Sequence, residues 1–505
     1  MSGTLRLVPG APRPEGGRAT PRPRRRPSRS VDPLDELARE TAEVCAAAVH
    51  PDEIAAHLEA QGLTNEQIER RYGRRDTFEV AAELFARVPR AHPEPPPTPD
   101  PWRADPVNAL LRGLVFTLPG LGYALGAPFL TGAPGPLGLP SGTGALVASA
   151  LAAWAWNQGL AHRAYAASAT GGRAAAGRVL RTGAPLGAAV APVVAPAAEA
   201  ALPGAPAPGA ALAFAVGQAV YLVGATALLV LGRERLLLLA LLPSTVGAAL
   251  LLPGSAAGSA IGAGAGADAA ARTAVLVLTV CGVSVIAARE TVRAVGEAGA
   301  RGDPRGAGPA RRASLPYGLF GLGCGVLTTL AALGDVLWHG AGAAMAGSVV
   351  VALTLSMGAA EWSLYRCRSL ALAALTAGTT VTGLPWRAGR ALGVCLAGYL
   401  AALTVLVLSA DMLWSDGPPP DRVRLPAVLA LGAVLWTGLL LQAFGAARLP
   451  AAVVLVAAAA DTAAIAWHLP GPGGPAGIHL VVCGAAAAVL VAAATARLGR
   501  ITSHR

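Results

Sequence analysis

Four polar residues lie within apolar stretches of this sequence and are the first candidates for chemistry. Asp461 stands in the middle of AAADTAAIAW, and Arg181, Asn157 and Gln218 have mainly apolar neighbours. An ionisable group at the centre of a bilayer costs at least about 2.5 kcal/mol, so it marks a function or a buried partner. Asp461 would either bind a cation or proton or hold two helices together. Asn157 and Gln218 fit a substrate site or a helix–helix contact.

Three charged residues near predicted span ends have two interpretations each. Arg178 and Arg181 would bind an anionic headgroup such as a pyrophosphate, because guanidinium groups match phosphate oxygens bidentately, or would extend to the membrane surface. The surface is the better interpretation for Arg178. Glu361, in MGAAEWSLYR, is expected to pair with Arg366 or Arg368 rather than to act in transport.

Several kinds of chemistry are excluded by residue types. All forty basic residues are arginine, so a Walker phosphate-binding loop and a Schiff-base lysine are impossible. The six cysteines are scattered without a C-x-x-C pair, which argues against disulfides and zinc. Neither H-E-x-x-H nor G-x-S-x-G occurs. We therefore expect no enzyme activity, no cofactor, no metal and no nucleic-acid partner.

Composition predicts the elements that must position these residues. Of 505 residues, 54% are hydrophobic and only 14% are charged, against about 25% charged in soluble domains. Runs of 18 or more apolar residues cross a hydrocarbon core of about 30 Å. The predicted fold is all-α, a polytopic membrane bundle of about twelve transmembrane helices. The predicted spans one to twelve are 107–130, 141–161, 176–195, 209–231, 236–253, 271–288, 316–332, 343–364, 390–410, 425–444, 450–468 and 478–496.

Arginine placement predicts the orientation of the bundle. With twelve spans, most arginines fall on one side, and the other side carries acidic residues with only Arg272, Arg422 and Arg424. The positive-inside rule then places both termini in the cytoplasm and the bundle in the cell membrane. The moderately apolar stretch 370–384 is either an interfacial helix or a thirteenth span. A thirteenth span would put Arg448 on the wrong side.

A polar region precedes the bundle and has helical patterning of its own. Asp32, Pro51, Thr64 and Thr77 are expected at helix starts. This small helical domain suits docking or regulation, with a protein partner, better than DNA binding. The predicted segments are a disordered basic tail (1–30), the cytoplasmic helical domain (31–90), a Pro-rich linker (91–104), a first six-helix half (105–288), an Arg-rich cytoplasmic loop (289–314), a second half (315–497) and a tail (498–505).

The long arginine loop separates six spans from six, so the two halves should be parallel repeats. Span one contains Leu118-Pro119 followed by Gly122-x-x-x-Gly126. Span seven contains Leu315-Pro316 followed by Gly321-x-x-x-Gly325, two residues further on. Such glycine pairs also permit close helix packing. We expect two similar halves related by an axis along the membrane normal.

The stretch LPYGLFGLGCGVLTTLAALGDVLW (315–338), followed by LTLSMGAAEWSLYRCR (353–368), resembles spans seven and eight of polysaccharide-exporter flippases. These belong to the multidrug/oligosaccharidyl-lipid/polysaccharide exporter superfamily. In that family span seven begins Pro-Tyr and ends near an acidic residue, matched here by Pro316, Tyr317 and Asp335. The major facilitator pattern fits less well, because the loop AHRAYAASATGGR after span two lacks its acidic residue.

The resemblance implies a flippase-like transporter that moves a lipid-linked glycan or another anionic amphipathic molecule by alternating access. Arg181 and Asp461 are the cavity residues expected to matter most, with Asn157 and Gln218 as further substrate-binding candidates. Membrane lipids are the other expected partners. The rival interpretation is a non-transporting scaffold of an envelope or secretion assembly, which docks partners through residues 31–90. The scarcity of charge within the spans favours this rival.

Overall fold

The computed structural model describes residues 32–91, 106–130, 138–201, 207–251, 265–297, 310–340, 342–376, 383–413, 422–471 and 473–498. The chain divides into two compact units, Met1–Pro99 and Asp100–Arg505. The predicted basic tail and most of the linker lie outside the described residues, as do the centre of the arginine loop and the C-terminal tail.

Residues 32–91 form a small helical domain in which helix starts follow local capping rules. The Asp32 carboxylate accepts the Leu34 amide at 3.1 Å, and Thr64 with Gln67 forms a capping box. The helix that starts after Asp32 ends at Thr41, where the backbone leaves helical geometry, and a second helix starts at Ala42. The helices are α1 (Pro33–Glu40), α2 (Ala42–Ala47), α3 (Pro51–Ala60), α4 (Asn65–Tyr72) and α5 (Thr77–Arg87).

This domain has its own apolar core. Leu34, Cys45, Ile54 and Leu84 are among the side chains that pack there with almost no exposure. Arg87 donates from one nitrogen to Asp32 at 3.1 Å and to Asp35 at 2.8 Å, which joins α5 to α1. Residues that are 52 and 55 positions apart are therefore held together at the surface of the domain.

The second unit is a bundle of long apolar helices. By length and composition, eleven helices of the described chain can cross a membrane. The observed ranges that carry the spans are Leu111–Leu130 for span one, Thr143–Ala201 for spans two and three, Gly209–Val230, Glu234–Leu251, Asp268–Gly296, Arg311–His339, Gly347–Ala374, Pro385–Leu413, Arg424–Ala443, Arg448–Ala466 and Gly474–Leu498 for spans four to twelve.

The 59-residue helix Thr143–Ala201 contains two spans because its backbone leaves helical geometry at Gly171 and Gly172. Gly172 has φ 64° and ψ −167°, a region that only glycine occupies readily. Each part, 143–170 and 173–201, exceeds the roughly 20 residues that a membrane crossing needs. The described chain thus supplies twelve spans, and the predicted all-helical multi-pass class is confirmed.

The bundle consists of two lobes, defined here as spans one to six (first lobe) and spans seven to twelve (second lobe). Leu180, Leu228 and Val283 belong to an apolar cluster drawn entirely from the first lobe. Phe320, Trp436 and Leu490 belong to a larger cluster drawn entirely from the second. Each lobe therefore has its own core, as in two packed subdomains.

Helix packing repeats between the lobes with a shift of six spans. Spans four and six pack together, as do ten and twelve; spans one and five pack together, as do seven and eleven. Between the lobes, span two packs on span seven and span one on span eight. A shift of six spans converts the pair of spans two and seven into the pair of spans eight and one, as a parallel two-fold repeat requires.

The two Gly-x-x-x-Gly motifs differ in their contacts. A Cβ on Gly325 would lie 2.6 Å from Leu151 in the other lobe, whereas a Cβ on Gly126 would lie 2.4 Å from Phe214 in its own lobe. Glycines at similar sequence positions therefore permit packing between the lobes in the second half and packing within the lobe in the first half. The stretch 370–384, which was expected to be an interfacial helix or a thirteenth span, is in part an extension of the helix of span eight, which continues to Thr376. Residues 377–382 lie outside the described chain.

Candidate functional site: the junction between the lobes

Glycines allow the two lobes to approach closely. A Cβ on Gly113 of span one would lie 3.6 Å from the Cα of Gly358 in span eight. A Cβ on Gly318 of span seven would lie 2.9 Å from the carbonyl oxygen of Ala155 in span two. Larger side chains at these positions would separate the helices. Both contacts lie toward the end where spans one and seven begin, which we call the arginine-rich end.

At this end, Arg112, Glu234 and Glu361 form the Arg112 cluster. The Arg112 Nε donates to a Glu234 oxygen at 2.8 Å within the first lobe. Its Nη1 donates to the Glu361 carboxylate, which belongs to the second lobe. One guanidinium thus serves two partly buried carboxylates, and the formal charge of the group is −1. Removing Arg112 would leave two like charges together.

The Arg112 cluster corrects the expectation for Glu361. Glu361 pairs with Arg112 across the lobes, rather than with Arg366 or Arg368 on its own helix. The physical reason is that Gly113 and Gly358 bring spans one and eight together at this depth. The cluster borders a cavity of about 200 Å³ whose wall includes Tyr165.

The second contact across the lobes joins span two to span seven. His162 Nδ1 lies 2.9 Å from the Ser314 hydroxyl, and its ring stacks on Tyr317 with centroids 3.7 Å apart. These residues are also at the arginine-rich end. The shift of six spans relates this helix pair to the pair that carries the Arg112 cluster. Both helix pairs therefore have side-chain contacts between the lobes at the arginine-rich end.

Polar contacts at the opposite end stay within a lobe wherever the chain is described. Arg424 donates to Asp335 at 2.7 Å, which joins spans ten and seven of the second lobe. Arg272 donates to the Leu251 carbonyl at 2.6 Å, so it satisfies the end of span five. Two of the three arginines that depart from the positive-inside pattern therefore have local structural partners.

A separate group, the Glu290 cluster, lies at the arginine-rich end within the first lobe. The Glu290 side chain is 3% exposed. It accepts from Arg233 at 2.7 Å, from Arg293 at 2.7 Å and from Arg173 at 3.2 Å. Arg173 also lies 3.5 Å from Glu297. The cluster therefore ties spans three and six and the loop before span five together.

Asp461 is fully buried in the second lobe, where its Oδ2 lies 2.5 Å from His479 Nδ1 of span twelve. His479 Nε2 is 3.5 Å from the Cys483 sulfur. The second carboxylate oxygen, Oδ1, has no hydrogen-bond partner among the described residues. Sequence reasoning missed His479; its signal was a histidine in the apolar run IHLVVCG, four residues before Cys483.

The other candidate site residues do not converge with Asp461. Gln218 is buried in the first lobe and lines a cavity there. Asn157 is buried, and its Oδ1 has no partner in the described chain. Arg181 is exposed. The four residues are therefore distributed over both lobes and the surface, and their role in substrate binding stays a prediction.

These features define a multi-pass membrane protein whose two lobes meet at a polar junction. No family model and no curated protein matches the sequence. An outward-facing multidrug resistance MATE family transporter of the MOP superfamily is 14% identical, with 79% of this chain and 97% of that chain covered and a TM-score of 0.47. An inward-facing conformation of a multidrug resistance MATE family transporter is also 14% identical, with 78% of this chain and 98% of that chain covered and a TM-score of 0.44. A MATE structure in complex with MaL6 is 14% identical over 79% and 97%, at 0.46.

Proposed function

We propose that this protein is a flippase-like transporter that works by alternating access, with its pathway between the lobes. The observation that supports this most is the division of the bundle. Each lobe has a separate core, and the side-chain hydrogen bonds between described residues of different lobes lie at one end. Lobes of this kind can rock as rigid bodies about a contact that opens and closes.

The positive-inside rule supports placing the arginine-rich end in the cytoplasm. In that orientation both termini are cytoplasmic, and the state described here is closed toward the cytoplasm. The Arg112 cluster and the His162 contact are then the closure that must break in each cycle. A lipid-linked glycan, or a similar anionic amphipathic molecule, is the substrate class that the resemblance of spans seven and eight favours.

The Asp461–His479 pair is proposed as the coupling site. An ionised carboxylate in an apolar core is costly unless it is paired and fully hydrogen-bonded, and Oδ1 of Asp461 lacks a partner. Binding a proton or cation at this carboxylate would remove that cost. Asp461→Asn should abolish the dependence of transport on the ion gradient, whereas Thr462→Ala, one position along the same helix, should retain it.

A disulfide between the lobes tests the proposed motion. Gly113→Cys and Gly358→Cys would place two thiols within the reach of a disulfide. In proteoliposomes, transport of a fluorescent lipid-linked oligosaccharide should fall to background when the bond forms and return on reduction. The single-cysteine variants are the controls. Full transport by the crosslinked protein would contradict alternating access at this junction.

The rival function is a membrane scaffold with residues 32–91 as the docking surface. It is favoured by the compact core of that domain and by the pairing of Glu234, Glu290 and Glu361, which leaves these carboxylates satisfied. The same crosslinked protein separates the two functions. A scaffold would retain a specific partner on the domain and show no loss of cellular function when the lobes are locked.

A further inference from the structure

A cavity of about 400 Å³ lies inside the first lobe, apart from the junction between the lobes. Residues of spans one, four, five and six form its wall. Its volume falls within the range of small-molecule sites, about 300–1,000 Å³. The aromatic part of the wall comprises Tyr123, Phe129, Phe214 and Tyr221.

The three hydroxyl groups of serine and threonine in this wall are already satisfied. Ser244 donates to the Leu241 carbonyl at 2.9 Å, and Thr279 donates to that of Val275 at 2.9 Å. Thr273 bonds to its own helix in the same way, at 2.8 Å. These groups offer no free donor, so their surface toward the cavity is mainly apolar.

Gln218 differs from these three hydroxyl groups. Its side chain lines the cavity, the residue is 7% exposed, and neither its amide nitrogen nor its amide oxygen has a partner in the described chain. Leaving a buried polar group without a hydrogen-bond partner is unfavourable. The amide offers two donors and one acceptor, so a ligand with an ester, amide or hydroxyl group would satisfy it.

The lack of charged residues in the described part of the wall narrows the class of ligand further. No Arg, His, Asp or Glu is found among the described residues of the wall, and burying a charge without a partner is very unfavourable. A water molecule needs two to four polar partners, and apolar cavities stay dry. The Gln218 amide and the hydroxyls of Tyr123 and Tyr221 are the polar groups of the wall that could hold water, and most of the volume suits hydrocarbon.

We infer that this cavity binds an uncharged, largely aliphatic chain that carries one hydrogen-bonding group, which Gln218 recognises. In a membrane this is the chemistry of a lipid chain near its ester or amide linkage. The chain belongs either to a bulk lipid or to the lipid part of the transported molecule. Only the second source rests on the proposed function, because binding itself requires no transport.

Photo-crosslinking of the full-length protein in lipid nanodiscs tests the inference. The probe is a diacylglycerol with a diazirine in the acyl chain, close to the ester, and labelled peptides are identified by mass spectrometry. We expect labelling concentrated in 119–129, 210–222 and 273–281, the segments that form most of the wall. Labelling spread evenly over the exposed helices of both lobes would overturn the site.

Two variants test the recognition. Gln218→Leu keeps the volume and removes the amide; loss of one hydrogen bond, about 1 kcal/mol, should reduce labelling roughly fivefold. Ala213→Trp fills the cavity from its wall and should abolish labelling. Gln442→Leu is the matched control, because Gln442 also has an unpartnered amide nitrogen but lies outside this cavity. Equal labelling in all three variants would overturn the role of Gln218.

Competition distinguishes the two lipid sources and tests the charge argument. Displacement of the probe by unlabelled diacylglycerol alone supports the site with a bulk lipid as its ligand. Displacement by a lipid-linked oligosaccharide at lower concentration supports it with the transported molecule as its source. Stronger displacement by a long-chain alkylammonium ion would overturn the inference that the ligand is uncharged. None of these results depends on whether transport is observed.

Discussion

The Arg112 and Glu290 clusters lie at the same end of the bundle but have opposite composition. In the first, one guanidinium serves two carboxylates that belong to different lobes. In the second, one buried carboxylate serves three guanidinium groups, all within the first lobe. The first cluster can lose one partner and keep the other. The second is centred on Glu290, which contacts all three arginines.

This difference indicates which cluster is structural and which can move. Separation of the lobes would leave Arg112 paired with Glu234, so only Glu361 would need to be solvated. Loss of Glu290 would leave three positive charges close together, with only the exposed Glu297 carboxylate near Arg173 to compensate among the described residues. We therefore expect substitutions in the Glu290 cluster to change stability and those in the Arg112 cluster to change the conformational equilibrium.

The largest expected effect is that of Glu290→Gln. Removing one partner of a buried ion pair costs about 3–5 kcal/mol. The arginines here are 29–63% exposed, so solvent screening reduces the cost to about 2–3 kcal/mol. Thermal unfolding in detergent, followed by a thiol-reactive dye on the buried cysteines, should shift down by about 5 °C.

Glu297→Gln is the matched control for Glu290→Gln. Glu297 is 52% exposed, and its ion-pair partner among the described residues is Arg173, at 3.5 Å. An exposed pair of this kind contributes less than about 1 kcal/mol. Equal destabilisation by the two variants would show that burial of Glu290 does not set the stability of the first lobe.

The second effect is conformational. Glu361→Gln removes the partner of Arg112 in the other lobe, a contribution of about 1–2 kcal/mol, so the closed state should lose population by roughly tenfold. The measurement is maleimide labelling of Met357→Cys, which lies in the wall of the small cavity at the Arg112 cluster, applied from the arginine-rich side.

Glu234→Gln separates the two carboxylates of the Arg112 cluster. It removes the partner within the first lobe but leaves the pair that joins the lobes, so labelling at position 357 should stay low. The double variant Arg112→Gln/Glu361→Gln should label no more than Glu361→Gln alone. Equal opening by Glu234→Gln would contradict the assignment of Glu361 as the partner that separates.

A smaller effect is expected at the other contact between the lobes. His162→Ala removes the hydrogen bond to Ser314 and the stacking on Tyr317, about 1 kcal/mol in total. Maleimide labelling of Met357→Cys should increase roughly fivefold. His162→Phe retains the stacking and should give an intermediate value; if it matches His162→Ala, the stacking makes no contribution.

The smallest effect is expected at the exposed pair of the N-terminal domain, Asp32–Arg87. The Leu34 amide, and then Arg87, hold the pKa of the Asp32 carboxyl below its ordinary value of 3.8. The ionised form is therefore favoured by folding. Its contribution is fully present above pH 3.8 and is lost as the pH falls through the lowered value.

Hydrogen exchange of the Leu34 amide in the full-length protein measures this contribution. Asp32→Ala should exchange faster than the parent protein at pH 6, and the difference should narrow toward pH 3. Asp32→Asn keeps an acceptor for the amide and should remain close to the parent at pH 6. A difference that persists unchanged at low pH would contradict the role of ionisation.

The helical class of this protein was readable from its sequence because long apolar runs and arginine asymmetry are properties of composition. The twelve spans, including the pair joined at Gly171 and Gly172, were predicted within a few residues for most of their ends. Span seven was predicted to end at 332 but continues to His339. Its end is extended because Asp335 is paired with Arg424 and can remain on a helix.

The partners of the charged residues were not readable from the sequence. Arg112 and Glu361 are 249 positions apart, and their pairing depends on how the two lobes pack at Gly113 and Gly358. Asp461 was recognised because a single carboxylate in an apolar run is conspicuous. His479, 18 positions away, was missed because nothing local indicates which faces of spans eleven and twelve meet.

The glycine pair between spans two and three has a mechanical consequence. Span two contacts the second lobe through Ala155, whereas span three begins at Arg173, which is bound to Glu290. Only Gly171 and Gly172 separate them, and Gly172 has no substitute without strain. No longer loop separates the two spans, so a tilt of span two would be transmitted through these glycines to Arg173 and the Glu290 cluster.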